Sequence, residues 1–248
     1  MSSAVYPSLK GKHVVVTGGA SGIGGAMVTA FASQGARVQF LDILEEDSRA
    51  LVESLADAPF APVFHRCDLT DLDAVAATFA GLDPVDVLVN NAANDDRHSL
   101  SDITPAYWDE RMAVNLRHFL FCAQAVVPGM KAAGGGSIIN FGSISWHLGL
   151  SDLVLYETAK AGIEGMTRAL ARELGPDGIR VTAVVPGNVR TPRQQRWYSP
   201  EDEAQIVEQQ CLKGRLEPPH VAALVLFLAS DDGRMCTGHE YWVDAGWR

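Results

Sequence analysis

Ser143, Tyr156 and Lys160 have the residue types and the spacing of a proton-transfer set. Tyr156 and Lys160 are four residues apart, so a helix places them on one face, and Ser143 precedes Tyr156 by thirteen residues. A tyrosine can take the proton of an alcohol while hydride leaves the carbon if its pKa falls by roughly 2–3 units, worth about 3–4 kcal/mol. One cation at about 4–5 Å supplies about 3–4 kcal/mol at an effective dielectric constant of about 20.

Lys160 and the positive ring of an oxidised nicotinamide are two such cations, so together they can supply the free energy needed to lower the pKa of Tyr156. The set therefore predicts a dehydrogenase that acts on an alcohol, with Ser143 hydrogen-bonded to the substrate oxygen beside Tyr156. Taken alone, Tyr-x-x-x-Lys is a common pattern on amphipathic helices, so the interpretation needs a nucleotide site elsewhere in the chain.

A glycine-rich turn near the start of the chain has the pattern of such a site. Gly18, Gly22 and Gly24 are spaced G-x3-G-x-G, after the apolar segment His13–Thr17 and at the start of a helical segment. These glycines permit a tight turn and the close approach of a pyrophosphate, which the free N–H groups at a helix start attract. An ordinary glycine-rich turn is the alternative, and the strand–turn–helix context favours the nucleotide site.

Asp42 indicates which nucleotide this turn binds. It ends the second strand candidate, eighteen residues after Gly24, where a carboxylate can accept hydrogen bonds from the adenosine ribose hydroxyls. It would repel a 2′-phosphate by about 4 kcal/mol at about 4 Å and an effective dielectric constant of about 20. No arginine at positions 20, 21, 41 or 43 offsets that repulsion. The prediction is NAD rather than NADP, and a solvated carboxylate at a strand end is the alternative.

Two further strand ends complete the predicted nucleotide site. Asp68 follows the third strand candidate and is predicted to accept from the adenine amino group, with a helix N-cap as the alternative. Asn90-Asn-Ala-Ala93 follows the fourth, where small residues let a cofactor approach the backbone. The same asparagines can also pin the sheet by hydrogen bonds, and the two roles are compatible.

Apolar strand candidates alternate with helical segments along the whole chain. This alternation predicts an α/β fold with a parallel sheet covered by helices on both faces, in one doubly wound domain over residues 1–248. The cofactor half covers about 1–135, the catalytic and substrate half about 136–248, and a polar segment at 190–212, which includes Trp197 and Tyr198, is predicted to be a substrate loop or lid. The strand candidates are His13–Thr17, Arg37–Leu41, Pro62–Arg66, Val85–Val89, Gly136–Phe141, Ile179–Val185 and Glu240–Val243, and the helical segments include Gly22–Gln34, Thr70–Phe79, Pro105–Lys131, Leu153–Leu174 and Pro218–Ser230.

The composition excludes several classes of protein. The 248 residues carry a net charge of −10 with no basic run, so nucleic acid is not an expected partner. The longest apolar stretches are too short to span a bilayer, and no signal peptide is recognised. Four dispersed cysteines argue against disulfides, and five of the seven histidines (His13, His65, His118, His220 and His239) lack ligand spacing, which argues against a metal site. We expect a cytoplasmic protein with buried thiols.

The combination of these motifs resembles the short-chain dehydrogenase/reductase family over the entire chain. The resemblance implies a seven-stranded Rossmann sheet of order 3-2-1-4-5-6-7, NAD as cofactor, and a homotetramer in which the last strand and the C-terminal end contact a neighbouring subunit. It implies that Asn115 holds a water linking Lys160 to solvent, although an ordinary helix-interior residue is the alternative. Ala93 stands where the family usually has glycine and is expected to narrow the space near the nicotinamide. The predicted cofactor-binding residues are Gly18, Ser21, Gly22, Ile23, Gly24, Asp42, Ile43, Asp68, Leu69, Asn91, Ala92, Ala93, Tyr156, Lys160, Pro186, Gly187, Val189 and Thr191.

Polar residues dominate the segments expected around the reacting carbon. A steroid or acyl chain calls for apolar walls, whereas a polyhydroxylated substrate calls for many hydrogen bonds. Trp146 can stack on the C–H face of a sugar; core packing is the alternative for Trp146 and His147, and a solvated loop is the alternative for 95–97. The predicted substrate residues are Asn94, Ser143, Ser145, Trp146, His147, Tyr156, Asn188 and Arg190.

Four segments are similar to the bacterial branch of the family that oxidises D-xylose at C1 with NAD. These segments are Phe141–Leu150, Asn94–His98, Val185–Thr191 and Cys236–Arg248. The resemblance implies oxidation of an aldopentose, D-xylose foremost, to the aldonolactone. Other aldoses (L-arabinose, D-glucose, L-fucose), a keto-reductase and a non-catalytic NAD-binding protein remain as alternatives.

Overall fold

Seven parallel strands form one sheet in the computed structural model, which describes residues 4–196 and 198–247. Trp197 and Arg248, which lie in segments singled out above, fall outside the described residues. The strand order is β3-β2-β1-β4-β5-β6-β7 and every neighbouring pair is parallel, as the sequence analysis predicted. The strands are β1 (His13–Thr17), β2 (Arg37–Asp42), β3 (Val63–Arg66), β4 (Val87–Asn90), β5 (Gly136–Phe141), β6 (Ile179–Pro186) and β7 (Glu240–Val243).

Helices connect successive strands and cover both faces of the sheet. The sheet divides the hydrophobic core into two clusters, one on each face, because alternate strand residues point to opposite faces. Val14 and Val16 of β1 pack with Val225 in one buried cluster, whereas Val15 packs with Val126 in the other. The helices are α1 (Gly22–Ser33), α2 (Glu45–Ser54), α3 (Leu72–Ala80), α4 (Pro105–Met112), α5 (His118–Ala132), α6 (Ser145–Leu148), α7 (Val154–Leu174), α8 (Pro200–Gln209) and α9 (Pro218–Ala229).

Three local features differ from the expectations. The predicted helix Pro105–Lys131 is interrupted by a π-helical turn at Ala113–Arg117, which carries Asn115. The polar segment at 190–212 contains helix α8, whose N-cap Ser199 forms a capping box with Asp202. Asp71, not Asp68, caps α3, because its side chain accepts from the N–H groups of residues 73 and 74.

The carboxyl ends of β1, β2, β4, β5 and β6 meet along one edge of the sheet. In a doubly wound sheet this edge is where ligands bind. Asp42 and Pro186 are the last residues of β2 and β6, and the glycine turn, Asn91 and Ser143 follow β1, β4 and β5. The fold therefore gathers at one place residues that are far apart in sequence. No helix in the described part of the chain has the length and apolarity to span a membrane.

Candidate active site

The glycine turn between β1 and α1 is closed too tightly for side chains. A Cβ on Gly24 would stand 1.8 Å from the carbonyl oxygen of Gly18, so this position accepts only hydrogen. Ser21 is the N-cap of α1, is exposed, and makes no side-chain capping bond. The first N–H groups of the helix, near Ile23, are thus uncapped by a side chain, which is the arrangement that binds a phosphate.

Asp42 braces this turn as well as facing the nucleotide edge. Its Oδ2 accepts from the N–H of Ala20 at 2.9 Å, and its Oδ1 accepts from the N–H groups of Ile43 at 2.8 Å and Leu44 at 3.0 Å. A carboxylate offers about four lone-pair positions, so one direction remains for a ribose hydroxyl. The Ile43 side chain is 60% exposed beside it, and gives an apolar surface of the kind an adenine ring covers.

The end of β4 is tied to the same turn. Asn91 donates from Nδ2 to the carbonyl oxygens of Thr17 and Gly18, both at 3.0 Å. The Thr17 hydroxyl accepts from the N–H groups of Asn91 and Ala92 at 3.0 and 3.2 Å. These bonds hold two strand ends together, which is the sheet-pinning role; they leave Ala92 and Ala93 half-buried beside the turn.

The predicted adenine contacts lie one strand further out. Asp68 is exposed, and its Oδ1 accepts from the N–H and hydroxyl of Thr70 at 2.9 and 2.7 Å. The Leu69 side chain is buried in the core, so a cofactor could meet only its backbone.

The segment after β6 reaches back over the glycine turn. The methyl group of Thr191 lies 3.3 Å from the place where a Cβ on Gly22 would stand. Gly187 packs against Asp244 and donates to the Val243 carbonyl at 3.0 Å, while Pro186 accepts from the N–H of Ile144 at 3.2 Å. Val189 is buried in the core, so its side chain supports the segment rather than facing a ligand.

Ser143 and Tyr156 meet at the end of β5. The Ser143 side chain is near enough to Tyr156 to influence its pKa, and the Ser143 hydroxyl lies 2.9 Å from that of Ser145. Loss of hydration raises the pKa of Tyr156 above its ordinary value, and Asp95 raises it further, whereas Ser143, Arg193 and Arg97 lower it. The chain's own groups therefore do not produce the lowered pKa that the sequence analysis requires of this tyrosine.

Lys160 is buried beneath the tyrosine, one helical turn along α7. Its Nζ donates to the Phe141 carbonyl at 2.8 Å and lies 5.4 Å from the centre of the Tyr156 ring. Burial lowers the pKa of Lys160 to about 7, although Asp95 and Glu164 act to raise it. The lysine therefore carries only part of a positive charge near neutral pH, less than the full cation assumed from sequence.

Asn115 lies in the π-helical turn and is fully buried. Its Oδ1 accepts from the N–H of Asn94 at 2.8 Å. Its Nδ2 has no hydrogen-bond partner among the described residues. π-helical turns occur often at functional sites, and a buried amide with a free donor has the chemistry to hold a water.

Arg193 joins two loops at the mouth of the site, and the sequence analysis did not identify it. Its Nη2 donates to Asn94 Oδ1 and Asp96 Oδ1, both at 2.7 Å, and its Nε lies 3.2 Å from Asp95 Oδ1. Asp96 also lies 3.4 Å from the buried guanidinium of Arg111. This clasp, the set of Arg193 contacts with residues 94–96, connects the loop after β4 to the segment after β6.

The other predicted substrate residues after β6 have partners within the chain. Asn188 donates from Nδ2 to the Tyr198 hydroxyl at 3.0 Å and accepts from Arg215 Nη2 at 2.9 Å. Arg190 forms an ion pair with Glu217 at the start of α9. Each side chain still has an unused N–H, because an amide has two N–H donors and a guanidinium has five.

Trp146 and His147 share one buried acceptor. Trp146 Nε1 donates to Glu164 Oε1 at 2.8 Å, and His147 Nε2 lies 3.2 Å from the same oxygen. The two rings stack with centres 3.7 Å apart, and His147 also packs on Trp242 at 4.3 Å. His147 borders a cavity of about 340 Å³, whose other lining residues are Ile144, Leu148, Trp242 and Trp247. Each ring thus has one polar atom paired with Glu164, but Trp146 is only half-buried and His147 is exposed, so neither belongs to the buried core.

Glu164 was missed by the sequence analysis although a signal was present. Tyr156, Lys160 and Glu164 are spaced four residues apart on one face of α7, so the sequence could have predicted an acidic side chain on the same face as the catalytic pair.

In the described part of the chain no group of three or more His, Cys, Asp or Glu residues could hold a metal ion, and the four cysteines are free.

Comparison with known proteins decides the family. A family model described as Enoyl-(Acyl carrier protein) reductase matches residues 18–248. A solved structure described as a short chain dehydrogenase/reductase family protein superimposes with a TM-score of 0.88 at 34% identity, covering 96% of this chain and 98% of that chain. The chain is a short-chain dehydrogenase/reductase. As a member of this family it is an oxidoreductase with a nicotinamide cofactor and a small-molecule substrate.

Two curated relatives of this short-chain dehydrogenase/reductase are named for sugars. The D-xylose 1-dehydrogenase of Caulobacter vibrioides (strain NA1000 / CB15N) is 73% identical over 248 residues, with 100% of both chains covered. A Rhizobium meliloti (strain 1021) protein named "Probable galactose dehydrogenase GalD" is 48% identical over 252 residues, covering 99% of this chain and 98% of that protein.

Proposed function

We propose that this enzyme oxidises an aldopentose, D-xylose foremost, at C1 to the aldonolactone with NAD as the hydride acceptor. The observation that carries the proposal is the 73% identity over all 248 residues to a D-xylose 1-dehydrogenase. The polar mouth supports it, because Asn94, Ser145 and Asn188 offer the hydrogen bonds that a polyhydroxylated substrate needs. We assign Trp146 and His147 to the supporting wall, since Glu164 already occupies their N–H groups.

The nucleotide edge fits a dinucleotide without a 2′-phosphate. The glycine turn leaves no side chain between the pyrophosphate and the start of α1, and Asp42 stands where the ribose hydroxyls would lie. We propose that Ile43, Asp68 and the backbone of Leu69 surround the adenine, and that Ala92, Ala93, the Pro186–Gly187 turn and Thr191 surround the nicotinamide. NAD, when bound, accepts the hydride from C1 and brings a positively charged ring to the site.

The residues of the chain handle the proton. The Tyr156 oxygen takes the proton of the anomeric hydroxyl, and the Ser143 hydroxyl holds the same sugar oxygen through a hydrogen bond. Because burial raises the pKa of Tyr156, ionisation depends on cations that approach it, and Arg193 and Arg97 already lower its pKa from the mouth. The proton then passes from Tyr156 toward Lys160, whose pKa of about 7 suits it to gain and release a proton near neutral pH. The unpartnered Nδ2 of Asn115 supports a water at the end of this path.

A panel of aldoses with NAD and with NADP tests the proposal. We expect NADH absorbance to rise fastest, at limiting sugar, with D-xylose and NAD, and lactone to be the product. No reduction of NAD with any pentose would refute the proposal. Tyr156→Phe serves as the control for background reduction.

Another aldose is the second candidate, and the 48% identity to a protein named for galactose favours it over the remaining alternatives. A higher kcat/KM for a hexose than for D-xylose would select this candidate. A keto-reductase would instead turn over acyl or steroid ketones with NADPH and leave sugars untouched.

We also propose that the chain works as one domain in a cytoplasmic homotetramer. The free thiols suit a reducing compartment. A groove of about 390 Å³ on α5 and α7, lined by Met112, Leu116, Arg117, Leu120, Phe121, Gly162 and Met166, gives an apolar face that supports subunit contact. Sedimentation of the purified enzyme as a monomer would refute the assembly.

A further inference from the structure

Glu164 connects the catalytic helix to the loop that carries Ser143. It lies one turn after Lys160 and two turns after Tyr156 on α7, and its side chain is 6% exposed. Its Oε1 receives two N–H donors, Trp146 Nε1 at 2.8 Å and His147 Nε2 at 3.2 Å. Those donors follow Ser143 by three and four residues.

The same oxygen also lies against the backbone just before Ser143. A Cβ on Gly142 would come within 2.7 Å of Glu164 Oε1, so the loop packs on the carboxylate at residue 142 and is bonded to it at 146 and 147. Ser143 therefore lies between two points of contact with one side chain of α7.

The loop has few other means of holding its shape. Helix α6 is only four residues long, too short to be stable alone, and its N-cap Ile144 offers no side-chain capping bond. Apart from its own turns, its backbone is held at the start by the bonds from Gly142 N–H to the Val184 carbonyl at 2.9 Å and from Ile144 N–H to the Pro186 carbonyl at 3.2 Å. After α6 it is held by the bond from Leu150 N–H to Glu157 Oε1 at 2.8 Å, so between residues 145 and 149 no backbone bond reaches another element. The contacts with Glu164 are thus a large part of what orients the loop.

The carboxylate is kept in this place at an energetic cost. Burial raises the pKa of Glu164, while the Trp146 hydrogen bond and the His147 ring lower it, and Glu240 raises it. An apolar side chain of similar volume would fill the space without that desolvation penalty, so the benefit of glutamate lies in accepting the two donors.

We propose that Glu164 is a positioning residue, which fixes the Ser143 hydroxyl against Tyr156 by holding Trp146 and His147. It acts only through the loop and does not touch the substrate. This inference rests on the proposed function for its kinetic test, and on the fold alone for its second test.

Two variants separate acceptor chemistry from volume. Glu164→Leu keeps the volume and removes the acceptor; Glu164→Gln keeps an acceptor oxygen and removes the charge. Because a displacement of about 1 Å can cost roughly 100-fold in rate, we expect Glu164→Leu to lower kcat by roughly 10–100-fold with KM little changed. Glu164→Gln should restore most of kcat.

A double-mutant cycle shows whether the effect passes through Ser143. If Glu164 acts by placing that hydroxyl, Ser143→Ala with Glu164→Leu should be no slower than Ser143→Ala alone. Multiplicative losses would overturn the proposal, because a general structural role does not depend on Ser143. If Glu164→Leu fails to fold, Trp146→Phe takes its place in the cycle, since it removes the indole donor but keeps an aromatic ring and leaves the Glu164 carboxylate in place.

Hydrogen exchange gives a readout that needs no turnover. We expect Glu164→Leu, or Trp146→Phe in its place, to speed amide exchange across 142–148. Arg168→Ala, which removes the exposed ion pair with Glu240 one turn further along α7, should leave these amides unchanged. Unchanged exchange in the first variant would overturn the proposal. Absence of turnover with every aldose in the wild type would refute the proposed function instead, and the exchange result would still decide the role of Glu164.

Discussion

Replacing Asp42 with asparagine tests both the cofactor preference and the brace of the glycine turn. An asparagine carbonyl oxygen can keep the bonds that Oδ1 accepts from Ile43 and Leu44. Its NH₂ group then stands in place of Oδ2 and faces the N–H of Ala20, a donor against a donor. The variant therefore loses the charge and also one bond of the turn.

The two losses have different magnitudes and different readouts. A unit charge at about 4 Å from a 2′-phosphate, with an effective dielectric constant of about 20, repels it by about 4 kcal/mol, or roughly a thousandfold in binding. Asp42 is only half-buried, so salt screens part of this. An unpaired N–H at Ala20 costs roughly 1–3 kcal/mol and weakens the turn for both nucleotides. We expect the NADP:NAD ratio of kcat/KM to rise by roughly 10- to 1000-fold while the value for NAD falls.

Steady-state kinetics with saturating sugar and each nucleotide give this ratio. Glu45→Gln is the matched control, because it removes one negative charge three residues further on, where the side chain is 46% exposed and paired with Arg49 at 2.6 Å. An Asp42→Asn ratio no higher than the Glu45→Gln ratio would refute the electrostatic reasoning. The rise should also shrink as salt is added.

Three other outcomes follow from the site. Tyr156→Phe should lower kcat by roughly 100- to 10,000-fold, and near-normal turnover with the best sugar would refute its role as base. Burial lowers the pKa of Lys160 to about 7, below its unfolded value of about 10.4, so between these values only the unfolded state holds the proton. The free energy of unfolding of the wild type, relative to Lys160→Met, should therefore rise with pH across that window by roughly 1 kcal/mol per pH unit at most; a flat or falling difference in urea melts would contradict it. Arg193→Ala should raise KM for the sugar, because it releases Asn94 and Asp95, and should change stability by less than about 1 kcal/mol since the arginine is 42% exposed. An unchanged KM for the sugar would show that the Arg193 clasp has no part in substrate binding.

The strands were predictable because each is a short apolar run between turn residues. His13–Thr17, Gly136–Phe141 and Glu240–Val243 have the predicted bounds, and the other four strands differ by two residues or fewer at each end. Buried parallel strands need no polar alternation, so their continuous apolar character is a strong signal. The helix over 105–132 was predicted in extent but not in its π-helical turn. An added backbone residue shifts the later apolar positions by only about 100° around the helix, and the sequence analysis did not test for such a shift.

The site was only partly predictable, because sequence shows residue types and not their surroundings. Arg193 bonds with Asn94 and Asp96, which precede it by 99 and 97 positions in the chain, and only the tertiary fold brings them together. The pKa of Lys160 depends on its burial, which a Tyr-x-x-x-Lys pattern does not reveal. The pairing of Trp146 and His147 with Glu164 likewise needs the packing of α6 on α7.

The sheet continues without interruption across residue 135, where the sequence analysis predicted a division into cofactor and catalytic halves. β4 pairs with β5 in register from Val87 opposite Ser137 to Asn90 opposite Asn140. A fragment ending before β5 would leave one edge of β4 without its partner, an open template for unwanted association. Neither half expressed alone would contain a complete active site. A split version of this enzyme should therefore recover turnover only when both pieces are produced together and β4 of one pairs with β5 of the other.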